Sequence, residues 1–356
     1  MDKAKGILAI NVGSTSTKVA FFRNAEPVVQ ETIKYSAEEL ASYPDLRDQL
    51  PKREEDLRQF LQRHRISLND IDMVISRGGV GKPAPAGAYK INEAMREDLL
   101  EGRYGKHPSA LGPAMALEMS EKYGKPAIVI DPPSTDEFHP IARFSGIPEI
   151  ERKSAFHALN QKMAARRAAR DLGKEYKEID LVVAHLGGGI TIGAHRKGRV
   201  VDCTHGLSEG PFTPERAGSL PTQDLVDLAF SGKMDKKQLL GRLIGRGGLA
   251  AYIGTNDAQK VESMIRQGDK NAENVYRAMA YQIAKDIGAM SVVLQRKPDA
   301  VVLTGGLAFS KILTDWIREM ISFLAPVLVY PGEDEMIALA EGALRVMQGT
   351  EEVKEY

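Results

Sequence analysis

Cysteine, net charge and long apolar runs are all scarce in this chain. Its one cysteine, Cys203, cannot form an internal disulfide, and no zinc-type cluster is present. The 48 basic and 48 acidic residues cancel, so no global field draws the chain to nucleic acid or an anionic membrane. No apolar run approaches the roughly 20 residues of a membrane span. The start, Met1-Asp2-Lys3-Ala4-Lys5, leads into a brief strand-like run rather than a signal sequence. Both G-x-x-x-x-G-K-[ST] and G-x-G-x-x-G are missing, although the segment 77–87 (RGGVGKPAPAG) superficially looks like a nucleotide loop. The expectation is a cytoplasmic protein without nucleic-acid or membrane partners. Its 356 residues, 43% hydrophobic and 27% charged, suffice to bury the cores of about two domains.

What is present is a pattern written twice. At 7–22 (ILAINVGSTSTKVAFF) and 181–202 (LVVAHLGGGITIGAHRKGRVVD) an apolar strand enters a Gly- and hydroxyl-rich turn and returns as a second strand. Gly lets the backbone crowd a bound group, and successive amides in such a turn can converge on phosphate oxygens. Either copy alone reads more simply as a tight turn. The elements that follow also match. The first half gives a strand at 27–35, a helix at 51–64, an apolar run at 71–76 ending in Arg77-Gly78-Gly79, a helix at 110–123 and a strand at 126–131. The second gives a strand at 199–204, a long helix at 273–294, a run at 299–304 ending in Gly305-Gly306, a helix at 311–323 and a strand at 326–330. Two βββαβα units of α/β class are therefore expected. The first spans 1–150 and is joined by a C-terminal helix at 337–356. The second spans 151–336 and carries an insertion at 203–271, which reads as substrate-pocket or oligomer-contact material or as plain surface elaboration. If the two domains face one another, the four Gly turns border one cleft.

Six segments in order, INVGSTSTK at 10–18, RGG at 77–79, FH at 156–157, HLGGG at 185–189, PERAG at 214–218 and LTGG at 303–306, resemble the acetate and butyrate kinases of the acetate kinase, sugar kinase, Hsp70 and actin superfamily. The butyrate kinases are the most similar, because acetate kinases carry HLGNG where this chain reads HLGGG. The resemblance implies duplicated RNase H-like domains facing a nucleotide cleft, the actin-like ATPase fold. It implies phosphoryl transfer between ATP or ADP and a short-chain carboxylate, with Mg²⁺ and a homo-oligomer of two or more chains. A carboxylate acceptor, with an acidity near that of a Glu side chain of pKa about 4.3, is already ionised and needs no general base. That suits Asn11, which stands where sugar kinases of the superfamily have an Asp. Asn11, Ser14, Ser16 and Lys18 would bind phosphate without adding negative charge.

Arg77 directly follows an apolar strand and precedes two glycines, which sets it apart from an ordinary solvated Arg. Arg216 rests on the resemblance. Together their planar forks would hold the carboxylate and the transferring phosphoryl group. The resemblance brings His157, with Ser154 capping a helix to about 172, and His185, at a strand end, to the phosphoryl group; each also reads as a hydrogen-bonded structural histidine. It places Asp131 near the reacting carboxylate and magnesium, and Glu335, with Glu333 as the alternative, at the metal. Asp131 also reads as a turn residue before Pro132-Pro133, and the acids as helix-start charges. Gly187, Gly188 and Gly189 would admit the ATP phosphates, and Gly305, Gly306 and Leu307 would border adenosine. Two other functions stay open: a hydroxyl kinase, which would need a general base, and a nucleotide-gated binding protein, which would need a partner-binding module.

Overall fold

The computed structural model describes residues 4–356, so the expectation at Met1-Asp2-Lys3 lies outside it. The chain forms two compact units, one reaching to Thr135 and rejoined by Asp334–Tyr356, the other Asp136–Glu333. The expected division at 150/151 falls inside the second unit.

In the first unit β1 (Gly6–Val12), β2 (Ser16–Arg23) and β3 (Glu26–Lys34) form an antiparallel meander. Helices α1 (Ala37–Ala41) and α2 (Leu50–Arg63) lead to β4 (Met73–Ser76), which pairs parallel to β1. Then come β5 (Ala88–Lys90), α3 (Glu93–Glu101), α4 (Leu111–Tyr123) and β6 (Ala127–Ile130), which pairs parallel to β4.

The second unit opens with α5 (Ala158–Asp171) and repeats the meander as β7 (Asp180–Leu186), β8 (Ile190–Arg196) and β9 (Arg199–Cys203). Helices α6 (Thr222–Phe230), α7 (Lys236–Ile244), α8 (Gly248–Ile253) and α9 (Ala258–Arg266) occupy the segment read as an insertion. The long α10 (Lys270–Val293), β10 (Ala300–Gly305), α11 (Lys311–Ile321) and β11 (Val327–Pro331) complete the unit. The chain ends with α12 (Glu335–Met347) and β12 (Val353–Lys354) in the first unit.

Both sheets have one core order. It is β6-β4-β1-β2-β3 in the first unit, extended by β12 and β5, and β11-β10-β7-β8-β9 in the second. The central strands β1, β7 and β10 are buried along their whole length, with successive side chains on opposite faces of the sheet. Val182, Ala184 and Leu186 of β7 pack with α10 and α11, while Leu181 and Val183 pack with α5. Both faces are covered, as a continuously apolar central strand requires. Truncating one such Leu or Ile to Ala costs about 2–5 kcal/mol, so a one-residue slip is strongly disfavoured.

Two local expectations change. The helix expected at 337–356 is α12 only to Met347, after which the chain turns at Gly349, with φ at 72°, and adds an edge strand. Helix α5 is headed by His157 rather than Ser154. Among the described residues no helix is long and apolar enough to cross a membrane.

Candidate active site

Strand ends deliver the functional side chains, because the parallel core strands stop at one edge where loops must carry the chain away. In the first unit Asn11 is buried near the end of β1 and stands opposite Lys18 of β2, so the two share a face of the sheet. The turn between them is closed by Gly13 N donating to Ser16 O at 2.8 Å. Ser14 and Lys18 are exposed and Ser16 is half-buried. Arg77 leaves the end of β4, and its Nε lies 3.3 Å from Glu335 Oε1 in the first turn of α12. Asn11 Nδ2 donates to Glu335 Oε2 at 2.7 Å. One carboxylate is thus held by a cation and an amide, at a helix N-terminus that favours negative charge. Only one of the two Asn11 amide hydrogens is committed.

Asp131 follows β6 with a left-handed φ of 41° and is 1% exposed. Its Oδ1 accepts from Gly87 N at 2.9 Å while its own N–H donates to Gly87 O at 3.1 Å, so it anchors the loop before β5. An Asp tolerates this backbone better than most residues, at a cost of order 1–3 kcal/mol. His107 joins this region without a signal in the sequence. Burial and then the Arg77 charge hold its imidazole below the usual value. Beside Arg77, Gly78 and Gly79 border a small apolar space of about 20 Å³, lined also by Leu99, Val129, Pro132 and Tyr356.

In the second unit His157 and His185 stack, with ring centroids 3.8 Å apart and planes 12° from parallel. Two cations at that spacing would repel by about 4 kcal/mol at an effective dielectric of 20. His185 Nδ1 sits 2.7 Å from Asn160 Oδ1. Its Nε2 is buried and lies 3.2 Å from Glu333 Oε1 in an alignment too poor for a hydrogen bond. His157 Nδ1 sits 2.9 Å from Thr191 Oγ1 on β8, the residue paired with His185.

The Gly187–Gly189 turn joins β7 to β8. A Cβ on Gly189 would stand 2.2 Å from Arg216 Nη1, so glycine leaves room for the guanidinium in its observed position. Thr213 builds the loop that presents Arg216: its hydroxyl accepts from Glu215 N and Arg216 N and donates to Gly188 O at 2.7 Å. Arg216 Nη1 donates to Gly206 O, while its Nε is buried without a partner. Burial pushes the guanidinium below its usual value, and Glu215 partly opposes this. Gly305, with φ at 92°, presses so close to Leu186 O that a Cβ would fall 2.4 Å from it; Gly306 and half-buried Leu307 then begin a single tight turn.

The structure therefore gathers Asn11, Arg77 and Glu335 in one unit, and His157, His185, Arg216 and the 187–189 turn in the other. Glu333 belongs with His185 and Glu335 with Arg77, two residues apart in sequence but in different units. No group of three or more His, Cys, Asp or Glu side chains able to hold a metal occurs among the described residues. Mg²⁺, which is commonly bound through one or two carboxylates and substrate phosphates, would need no such cluster.

Residues 148–321 match the acetokinase family model. That acetokinase-type stretch contains the histidine pair, the glycine turn and Arg216. Over the whole chain the fold is similar to acetate kinase from Porphyromonas gingivalis, with a TM-score of 0.77 and 17% identity over 96% of this chain and 100% of that one. It is similar to propionate kinase from Francisella tularensis subsp. tularensis, with a TM-score of 0.76 and 18% identity over 95% and 98%. A ROK hexokinase from Thermus thermophilus matches at 0.51 and 14% identity over 97% and 100%. These likenesses establish the fold, two α/β units of the actin-like ATPase type.

Proposed function

We propose that the protein is a carboxylate kinase that moves a phosphoryl group reversibly between ATP and a short-chain carboxylate, with butyrate as the substrate. The observation that carries this reading is Asn11 at the end of β1, whose amide donates to Glu335. A hydroxyl acceptor needs a base near this turn, where Asn11 cannot serve and the Glu335 carboxylate is tied to Arg77 and Asn11, whereas an ionised carboxylate needs only charge neutralisation and alignment. The acetokinase match at 148–321 supports the same reading. In it, Arg77 neutralises the carboxylate and Arg216 the phosphoryl oxygens, while the histidine pair donates hydrogen bonds as charge builds. Lys18 and the Gly187–Gly189 amides bind nucleotide phosphates, and Gly305, Gly306 and Leu307 border the base. Bound through Glu335 and the phosphates, Mg²⁺ would neutralise the charge on the transferring group.

Butyrate is favoured over acetate by the HLGGG turn, which departs from the HLGNG of acetate kinases. Trapping acyl phosphate as hydroxamate across acetate, propionate, butyrate, isobutyrate and glucose tests the proposal. The highest kcat/KM is expected with butyrate. Robust sugar phosphorylation without acyl phosphate would refute the reaction class, and a preference for acetate would refute the substrate.

A further inference from the structure

Behind His157 lies a run of polar side chains sealed from water. Gln161, Thr191 and His195 are each 0% exposed, so their hydrogen bonds must be made internally. The Gln161 amide nitrogen lies 3.0 Å from Thr191 O and 2.9 Å from Thr191 Oγ1. A backbone carbonyl can only accept, so the NH₂ end must face it. Gln161 Oε1 is thereby turned to His195 Nε2 at 3.0 Å, and His195 Nδ1 meets the Tyr176 hydroxyl at 2.7 Å.

The Thr191 hydroxyl has two lone pairs and one hydrogen. Gln161 fills one lone pair, and the His157 backbone N–H faces the other at 3.4 Å. Only the hydroxyl hydrogen is left for His157 Nδ1 at 2.9 Å. Nδ1 is then an acceptor, and a neutral ring keeps its proton on Nε2. The fold reserves the space for this arrangement. On β8, Thr191, Gly193 and His195 share one face, and a Cβ on Gly193 would come within 2.5 Å of Gln161 Oε1.

We propose that Gln161 and Thr191, backed by His195 and Tyr176, are positioning residues that hold His157 as the Nε2–H tautomer. The ring edge beside Gly189 then carries a hydrogen-bond donor rather than a lone pair. The consequence for turnover rests on the phosphoryl-transfer reading, in which a preset donor stabilises growing negative charge without reorganising. A neutral His157 also avoids setting two stacked cations 3.8 Å apart.

Long-range proton–nitrogen NMR of the full chain labelled with ¹⁵N-histidine reads the tautomer without substrate. The His157 signal is assigned by its loss in His157→Gln. A protonated Nε2 and bare Nδ1 are expected at neutral pH. A proton on Nδ1, in either a neutral or a charged ring, overturns the proposal whether or not the protein is a kinase. In butyrate and ATP turnover, Thr191→Val should lower kcat about ten- to hundredfold with KM values changed by less than about threefold, and Thr191→Ser should recover most of the loss. Wild-type kcat in Thr191→Val overturns the proposal. If circular dichroism shows that variant unfolded, Gly193→Ala, which displaces Gln161, carries the same expectation and the same refuting result. A wild-type chain with no turnover contradicts the kinase reading, and the spectrum alone then decides the tautomer.

Discussion

Gly189→Ala should disable the site while leaving the fold intact, and its magnitude can be worked from distances. The new methyl would stand 2.2 Å from Arg216 Nη1, 3.0 Å from its Cζ and 3.3 Å from His157 Cε1. Comfortable contact begins near 3.4 Å, so the guanidinium must retreat by about 1 Å. The atom in the way is the far end of a flexible side chain, and the Gly189 backbone conformation is one that alanine adopts. The Leu186–Ile190 pairing that closes the turn need not break. Retreat would disturb the bond from Nη1 to Gly206 O, which fixes where Arg216 points. A misplacement of about 1 Å in a charge-stabilising group can cost about 10²-fold in rate. We therefore expect kcat for acyl phosphate formation to fall about a hundredfold, with the circular dichroism spectrum unchanged and Tm shifted by less than about 4 °C. A folded variant with near-normal kcat would show that Arg216 does not act from its observed position.

Other perturbations follow from the same geometry. Asn11→Asp would set a second carboxylate about 2.7 Å from Glu335 Oε2; steady-state kinetics should show turnover reduced at least tenfold and incompletely restored by extra Mg²⁺, and undiminished butyrate activity would refute the neutral-donor role. Arg77→Ala and Arg216→Ala should each lower kcat by about 10²–10³ with the fold retained, and Lys replacements should recover only part. If either alanine variant turns over normally at saturating substrate, that assignment is wrong. Burial, followed by a shared hydrogen bond and charge repulsion with Glu118, pushes Glu54 up to about 8. The folded chain then keeps a proton that the unfolded chain releases near 4.5, so this site destabilises the fold increasingly as pH rises from about 4.5 to 8. Glu54→Gln should gain about 1–2 kcal/mol at pH 8.5, after discounting for partial exposure, and almost nothing at pH 4.5; equal gains in denaturant titrations at both pH values would refute the shift.

The duplicated core was legible because its signals are periodic. Apolar runs such as LVVAHL and VVLTG, ended by glycine, specify buried strands whichever partners they find, and their repetition exposed the shared strand order. The short strands β5 and β12 were hidden, since three and two residues carry no period. Arg77 stood out by its place at a strand end. The pairing of Glu335 with Arg77 and of Glu333 with His185 did not, because spacing cannot tell which side of a domain boundary a residue falls on.

The buried network behind His157 was missed for a different reason. Asn160 and Gln161 lie in a helix whose other buried positions are mostly apolar, where they read as ordinary surface polarity. Two signals were available: His157, Asn160 and Gln161 share one helix face at i, i+3 and i+4, and Thr191-x-Gly193-x-His195 alternates polar and minimal residues inside an apolar strand.

The claim most exposed to disproof is that the acceptor is a carboxylate rather than a hydroxyl. One ³¹P NMR time course with Mg-ATP, butyrate and glucose in the same tube separates the products directly. The account predicts an acyl phosphate signal that grows with ADP and disappears on adding hydroxylamine, with no sugar phosphate. A sugar phosphate signal accumulating in its place would contradict it.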